Sequence, residues 1–285
     1  MGYSINKIAI YTGLALLAGC SSSGGGGKGS ESIPPVTDSS LSSVPAEYRD
    51  AVKKAKTFDP LAIVREDLAD EGATVKSVTL NGQTLNGTEY NFSELKNGLQ
   101  DLSFTLEVED SQQAKHQVEG KAFLYQQPYS LAMGSLISKM QGAQASDLNV
   151  FYVDSIKGLQ TTSTAIAGLD GQFTYQGVAF NGSDEGKLSY VVDFGSREGS
   201  GQISGLTETG KIDLLKANIA SLNQEMIQGM GIVGKATFEK DPTADISYEL
   251  GFFGPNAEEI AGRVNYVRDG DNVHNISEVG FGGKR

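Results

Sequence analysis

Residues 187–194 read Lys-Leu-Ser-Tyr-Val-Val-Asp-Phe. Leu188, Tyr190, Val192 and Phe194 fall on one side of an extended chain, and Ser189, Val191 and Asp193 on the other. A period of two is the mark of a strand with one face in a core. The neighbouring sequence repeats the pattern. Gln172–Phe180 precedes this run, and Gly199–Leu206, Lys211–Ala220, Met230–Phe238, Ile246–Phe253, Glu258–Val267 and Val273–Phe281 follow it. The joints are short and rich in turn formers, such as Asn181-Gly182-Ser183-Asp184 and Arg268-Asp269-Gly270-Asp271. Eight antiparallel strands in succession predict an up-and-down barrel, because pairing the first with the last removes both exposed edges. A two-layer sandwich is the competing arrangement. Glycines at 177, 201, 205, 229, 231, 234, 251 and 262 fit sites where strands bend or backbones approach. Tyr175, Tyr190, Tyr248 and Tyr266 are placed either to fill such a barrel or to line a small cavity in it.

The preceding segment, 45–168, predicts a β-rich domain with short helices. Asp59-Pro60 sets a capping side chain before a first-turn proline, and Leu61, Val64 and Leu68 recur at helical spacing. Pro45–Lys56 fits another short helix. Thr74–Leu80 is followed by Asn81-Gly82, a hairpin signal. Leu102–Val108 alternates cleanly, and Val118–Tyr125 reads as a further strand. Residues 129–145 are compatible with helix or strand.

The composition narrows the function. In 285 residues there are 23 Lys and Arg against 35 Asp and Glu, a formal net charge of −12. Nucleic acid is a poor partner for such a chain, since affinity there comes mostly from cationic contacts to phosphate. One cysteine excludes a disulfide framework and Cys-cluster metal sites. The two histidines, His116 and His274, leave little for a His-rich metal centre or a His-based triad. His116, in a polar stretch, is expected to be exposed. Glu258 and Glu259 are adjacent, so on a strand they point to opposite faces and cannot share a substrate atom. The expectation is a binding protein without catalytic residues, metal or cofactor.

Residues 1–19 read as a signal peptide, with Lys7 as its basic region and an apolar run from Ile8 to Leu17. That run is too short to span a hydrocarbon core of about 30 Å as a helix. It closes on Leu17-Ala18-Gly19-Cys20, a bacterial lipoprotein box in which Cys20 is lipidated. Ser21 after the cysteine favours sorting to the outer membrane, and several acyl chains make a stable anchor. Residues 20–44 then comprise the anchor and a Ser/Gly tether too polar to form a core, with a reach of roughly 25–30 Å. The barrel domain is assigned to 169–285.

Several stretches resemble the factor H-binding protein family of bacterial surface lipoproteins. Gly171–Phe180, Gly186–Phe194, Gly199–Ile203, Tyr248–Gly254 and Ala257–Gly262 match its carboxy-terminal barrel in order. Glu94–Asn97, Leu102–Val108 and Glu119–Gln127 are similar to its amino-terminal part. The resemblance implies two β domains, the second a lipocalin-like barrel, on a surface-exposed lipoprotein that recruits host complement factor H and so blunts complement attack. It also implies that acidic side chains at one barrel end meet a basic factor H module. One family glutamate carries over to Glu259. The second lies in the hairpin that here reads Glu239-Lys-Asp-Pro-Thr-Ala-Asp245, with no glutamate in the matching place, so Glu239, Asp241 and Asp245 stand as the acidic candidates there. The protein is expected to act as a monomer.

Phe252–Glu259 is also similar to the barrels of transferrin-binding lipoproteins and related haem-capturing proteins. That resemblance implies iron acquisition as the alternative function, with His274 as a candidate axial haem ligand.

Overall fold

The computed structural model describes residues 39–70, 72–140, 150–242, 246–266 and 278–285. Cys20, Asp245, His274 and the signal peptide lie outside these residues. After two 3-10 turns, Ser40–Ser43 and Ala46–Tyr48, come two α-helices, α1 (Arg49–Ala55) and α2 (Ala62–Asp70), separated by β1 (Thr57–Phe58). The Asp59 carboxylate accepts the Leu61 N–H at 3.1 Å and pairs with Arg65 at 2.9 Å, fixing the entry to α2. Leu61, Val64 and Leu68 are buried, as their spacing predicts.

The sheet that follows is open and antiparallel. Its strands are β2 (Thr74–Leu80), β3 (Gln83–Thr84), β5 (Gly98–Glu109), β6 (Lys115–Gln126), β7 (Ser130–Met140) and β8 (Tyr152–Gly158), in the order β3-β2-β5-β6-β7-β8. A separate pair joins β1 to β4 (Tyr90–Asn91). Asn81 and Gly82 have φ of 48° and 79°, the two left-handed residues that a tight hairpin requires between β2 and β3. Leu102, Phe104, Leu106 and Val108 share one buried face with Val118, Ala122 and Leu124, and this face packs on α2. The ambiguous segment from residue 129 is a strand as far as Met140. His116 departs from expectation: it is half-buried, 2.7 Å from the Asp110 carboxylate, which also closes the β5–β6 turn by accepting the Gln112 and Ala114 N–H groups.

A short helix, α3 (Ser163–Gly168), leads into a closed barrel. The barrel strands are β9 (Gln172–Phe180), β10 (Glu185–Asp193), β11 (Glu198–Leu206), β12 (Gly210–Asn223), β13 (Gln228–Phe238), β14 (Ile246–Phe253), β15 (Glu259–Tyr266) and β16 (Val279–Lys284). Each pairs with the next, and β16 returns to β9 from Gly280↔Phe180 to Lys284↔Gln176. The barrel expectation holds, and the sandwich does not. At the closing seam a Cβ on Gly177 would lie 2.0 Å from the Gly282 carbonyl oxygen, so only glycine permits this pairing. The eighth strand begins at Val279, later than the expected 273; residues 273–277 are outside the described set.

The inward residues alternate as residues 187–194 foretold. Tyr175, Tyr190, Tyr248, Phe252 and Phe281 are fully buried and fill the bore together with aliphatic side chains. The outer wall of the barrel packs on the second face of the open sheet. Phe151 sits between Phe123 of the sheet and Phe180 of the barrel, edge-on to both at 5.9 and 5.7 Å. The edge of β8 is capped by the barrel, since the Glu278 N–H donates to the Phe151 carbonyl at 2.9 Å.

Candidate partner-binding surface

Three turns lie side by side at one barrel end because their strands are consecutive around the wall: β9–β10, β11–β12 and β13–β14. In the first, the Asn181 side chain accepts the Asp184 N–H at 2.9 Å, an Asx turn. Asp184 then reaches the second turn and accepts the Thr207 N–H at 2.8 Å. Asn181 Nδ2 donates to Glu208 at 3.4 Å. The third turn is tied to the second by Lys240 Nζ, which donates to the Thr207 carbonyl at 2.5 Å, and by Glu239, whose Oε2 accepts the Lys211 N–H at 2.9 Å. These bonds fix a contiguous rim carrying Asp184, Glu185, Glu208, Glu239 and Asp241, with Lys211 and Lys240 among them. Glu185, Glu208 and Glu239 are exposed. The backbone-anchored carboxylates are held in place, so a cationic partner would meet a preorganised acidic edge.

Glu239 and Asp241 are thus on this rim. Glu259 is not. It begins β15 at the opposite end of the barrel and is only 2% exposed. Its carboxylate is enclosed against the β6–β7 turn, accepting the Tyr129 N–H at 3.1 Å to each oxygen and the Ser130 hydroxyl at 2.8 Å. As a contact on the free protein surface Glu259 is therefore corrected to a residue of the sheet–barrel junction. Glu258 lies outside the strand, where it accepts the Asn256 N–H at 2.8 Å.

The same turn is held from its other side by Lys56, at the end of α1 and fully buried. Its ammonium donates to the Gln127 carbonyl and, at 2.9 Å, to that of Pro128. Gln127 Nε2 donates to Ser130 Oγ at 2.9 Å and crosses to the Ile260 carbonyl of the barrel at 3.0 Å. Burial pushes the Lys56 ammonium pKa down and the Glu259 carboxyl pKa up; their mutual attraction opposes both shifts. Nothing in the local sequence marks Lys56, because its partners lie 71 and 72 residues away.

The barrel is thus closed, antiparallel and filled by its own side chains, with a polar rim of fixed turns at one end. Residues 165–264 match the family described as factor H binding protein, C-terminal, from within α3 to within β15. The resemblance read from the sequence is borne out over the barrel. Among solved structures, transferrin binding protein B of Haemophilus parasuis Hp5 is similar at 17% identity and a TM-score of 0.39, covering 73% of this chain and 44% of that one. The isotype 1 transferrin binding protein B of Neisseria meningitidis matches at 18% identity and a TM-score of 0.40, covering 70% and 38%. HpuA from Kingella denitrificans, solved in complex with human haemoglobin, matches at 14% identity and a TM-score of 0.38, covering 66% and 85%. The chain thus spans less than half the length of either transferrin binding protein. Among the described residues, no helix is long and apolar enough to cross a membrane.

Proposed function

We propose that this protein is a surface-displayed lipoprotein that binds a host protein, most favourably complement factor H, through the acidic rim of its barrel. The observation that carries this reading is the contiguous set of Asp184, Glu185, Glu208, Glu239 and Asp241 on three bonded turns. The family match over residues 165–264 and the net charge of −12 support it. On this reading residues 1–19 are removed, Cys20 anchors the chain in the outer membrane, and residues 21–44 hold two β domains clear of the surface. The domains act as a monomer and by binding alone, recruiting factor H to the cell surface and so blunting complement attack.

The test is purified factor H flowed over the immobilised mature chain at low and high salt. Saturable binding with a Kd below ~10 μM that weakens with salt is the expected result. Absence of binding at that level overturns factor H as partner. The iron-acquisition alternative is tested in the same format with transferrin and with haem. The bore, filled by Tyr175, Tyr190 and Tyr248, favours a protein partner on the outside over a small ligand within.

A further inference from the structure

Ser39, the first described residue, pairs with Lys96, just past a 3-10 turn at Phe92–Glu94. Ser40 beside it is fully buried. Its N–H donates to the Leu95 carbonyl at 2.7 Å and its hydroxyl to the Ser93 carbonyl at 3.0 Å, while its oxygen accepts from Gln126 Nε2. Gln126 ends β6, and its neighbour Gln127 crosses to the Ile260 carbonyl near the start of β15. The chain therefore enters the fold at the sheet–barrel junction, at the barrel end opposite the acidic rim. The two ends stand ~20–25 Å apart, the height of nine-residue strands tilted as in a small closed barrel.

The charge around this entry has the opposite sign to that of the rim. Arg49 opens α1 and holds the lead-in, its Nε donating to the Val44 carbonyl at 2.8 Å. Lys53 and Lys54 are exposed in the last turn of α1, and Lys96 is exposed beside Ser39. Lys157 of β8 joins them, its ammonium 5.9 Å over the ring of Phe58. Phe58 follows Thr57, whose hydroxyl donates to the Lys53 carbonyl at 2.8 Å. Among the described residues, none of these five cations lies within ion-pair distance of a carboxylate. Elsewhere on the surface Lys76, Lys121, Lys139, Lys211 and Lys216 each do. The elements that carry the five hold three exposed acids, Glu47, Asp50 and Glu94. This face thus has a positive surplus in a chain whose net charge is −12.

We propose that this basic face rests on the phosphate-bearing lipid headgroups of the membrane that holds the anchor, which makes the acidic rim the membrane-distal pole. The inference rests on the anchoring of Cys20 proposed above, and not on the identity of the rim's partner. Lys and Arg side chains are drawn to an anionic lipid surface within about one Debye length, ~8 Å in physiological salt. An anchor on a polar tether keeps the body near the membrane without choosing which side faces the lipid. Charge makes the choice, because the same phosphates that attract the face at α1 repel the carboxylates of the rim. The rim is then open to a large soluble protein arriving from outside.

The test uses the full lipidated chain in phosphatidylcholine vesicles, with and without phosphatidylglycerol. A donor dye is placed at Asn97→Cys, an exposed position next to Lys96, or at Glu185→Cys on the rim, with an acceptor dye on the lipid. In anionic vesicles, energy transfer from position 97 is expected to exceed that from 185 by about twofold or more, given the ~20–25 Å between the two ends. The difference should shrink without phosphatidylglycerol, and also near 1 M salt, where the screening length falls to about 3 Å. Lys53→Glu combined with Lys54→Glu should shrink it likewise. Both side chains are exposed and form no bond among the described residues, so the unfolding midpoint should hold; Lys96→Glu replaces the pair if it does not. Equal transfer from the two positions in anionic vesicles overturns the inference, as does a difference that neither salt nor charge reversal alters. A chain that does not float with vesicles of either kind overturns the anchor, and this inference with it; flotation, read before any dye, tells that failure from the others.

Discussion

The hydroxyl oxygens of Tyr190 and Tyr248 meet 2.9 Å apart in the bore of the barrel, and Tyr248 passes the chain on to the Leu215 carbonyl at 2.7 Å. Leu215 lies at the register shift of β12, where the strand gains a residue against both its neighbours. The tyrosine pair thus satisfies a backbone carbonyl that the bulge takes out of the ladder. Tyr248→Phe leaves both that carbonyl and the Tyr190 hydroxyl without their partner, at a cost of about 2–3 kcal/mol. Tyr190→Phe removes one donor and leaves the Tyr248–Leu215 bond intact, so it costs about 1 kcal/mol. Urea denaturation should rank the two variants in that order with an unchanged m-value.

The space those rings occupy is taken from two glycines. A Cβ on Gly199 would lie 2.7 Å from Tyr190 Cε1, and one on Gly234 would lie 2.5 Å from Tyr248 Cε1. Neither ring can retreat without disturbing its hydroxyl bond. Gly199→Ala and Gly234→Ala should each destabilise by about 1–3 kcal/mol through overpacking. Pairing Gly234→Ala with Tyr248→Phe should cost less than the sum, since the truncated ring is free to move; equal sums in thermal or urea unfolding would contradict this account.

How much of this was visible beforehand follows from the range over which each feature is determined. The strands from Gln172 to Phe253 were legible because alternation is written into consecutive residues, and the turn at Asn81-Gly82 because its conformation depends on those two alone. The acidic rim was legible only in part. Glu239 and Asp241 stood out in one hairpin, but Asp184, Glu185 and Glu208 join them only once the barrel closes and sets three turns side by side. Glu259 was misplaced for the converse reason. Its place as a contact came from the family resemblance, and what buries it is the turn at Tyr129–Ser130, 129 and 130 residues away. The bulges at Asp154, where the pairing of β7 with β8 slips by one residue, and at Leu215 leave no local mark at all, being set by partners on other strands.

The grip on that turn predicts a coupled pair. Lys56→Met removes the donor to two buried carbonyls and the cation beside Glu259, and should cost about 3 kcal/mol or more. Glu259→Gln keeps the shape but gives up the charge that Lys56 faces. The double variant should be less destabilised than the two single effects combined, by about 1 kcal/mol or more, because neither residue is then left as an uncompensated charge. Additive effects in a denaturation cycle would mean that the two ends of the turn are held independently.

The buried aspartates give a pH dependence of definite sign. The folded-state pKa of Asp154 is raised from 3.8 to about 8 by burial, and that of half-buried Asp67 to about 6 by burial and by Glu66 and Asp70. Above about pH 4 the unfolded chain releases these protons while the folded chain retains them. Their contribution is therefore fully present below about pH 4 and is lost as the pH rises towards 8. Asp154→Asn should flatten the fall in stability between about pH 5 and about pH 8, and should leave the variant more stable than the wild type at the upper end. Urea midpoints measured across that range check it; parallel curves for the two proteins would show that Asp154 ionises freely in the fold.

The last prediction concerns the rim. If recognition depends on its field, then reversing charges that make no structural bond should slow encounter with a basic partner and leave the fold intact. Glu185→Lys is the cleanest such change, since Glu185 is exposed at the start of β10. Glu239→Lys goes further, because it also gives up the bond to the Lys211 N–H at 2.9 Å, so its unfolding midpoint must be measured alongside. For factor H, each reversal should lower the association rate several-fold at low salt, with the difference shrinking as salt approaches about 1 M, where the screening length falls to about 3 Å. Glu259→Gln serves as the contrast. It should change stability without altering the salt dependence of binding, because its carboxylate is enclosed at the far end of the barrel. Binding that ignores the rim reversals but fails in Glu259→Gln would move the recognition surface to the sheet–barrel junction.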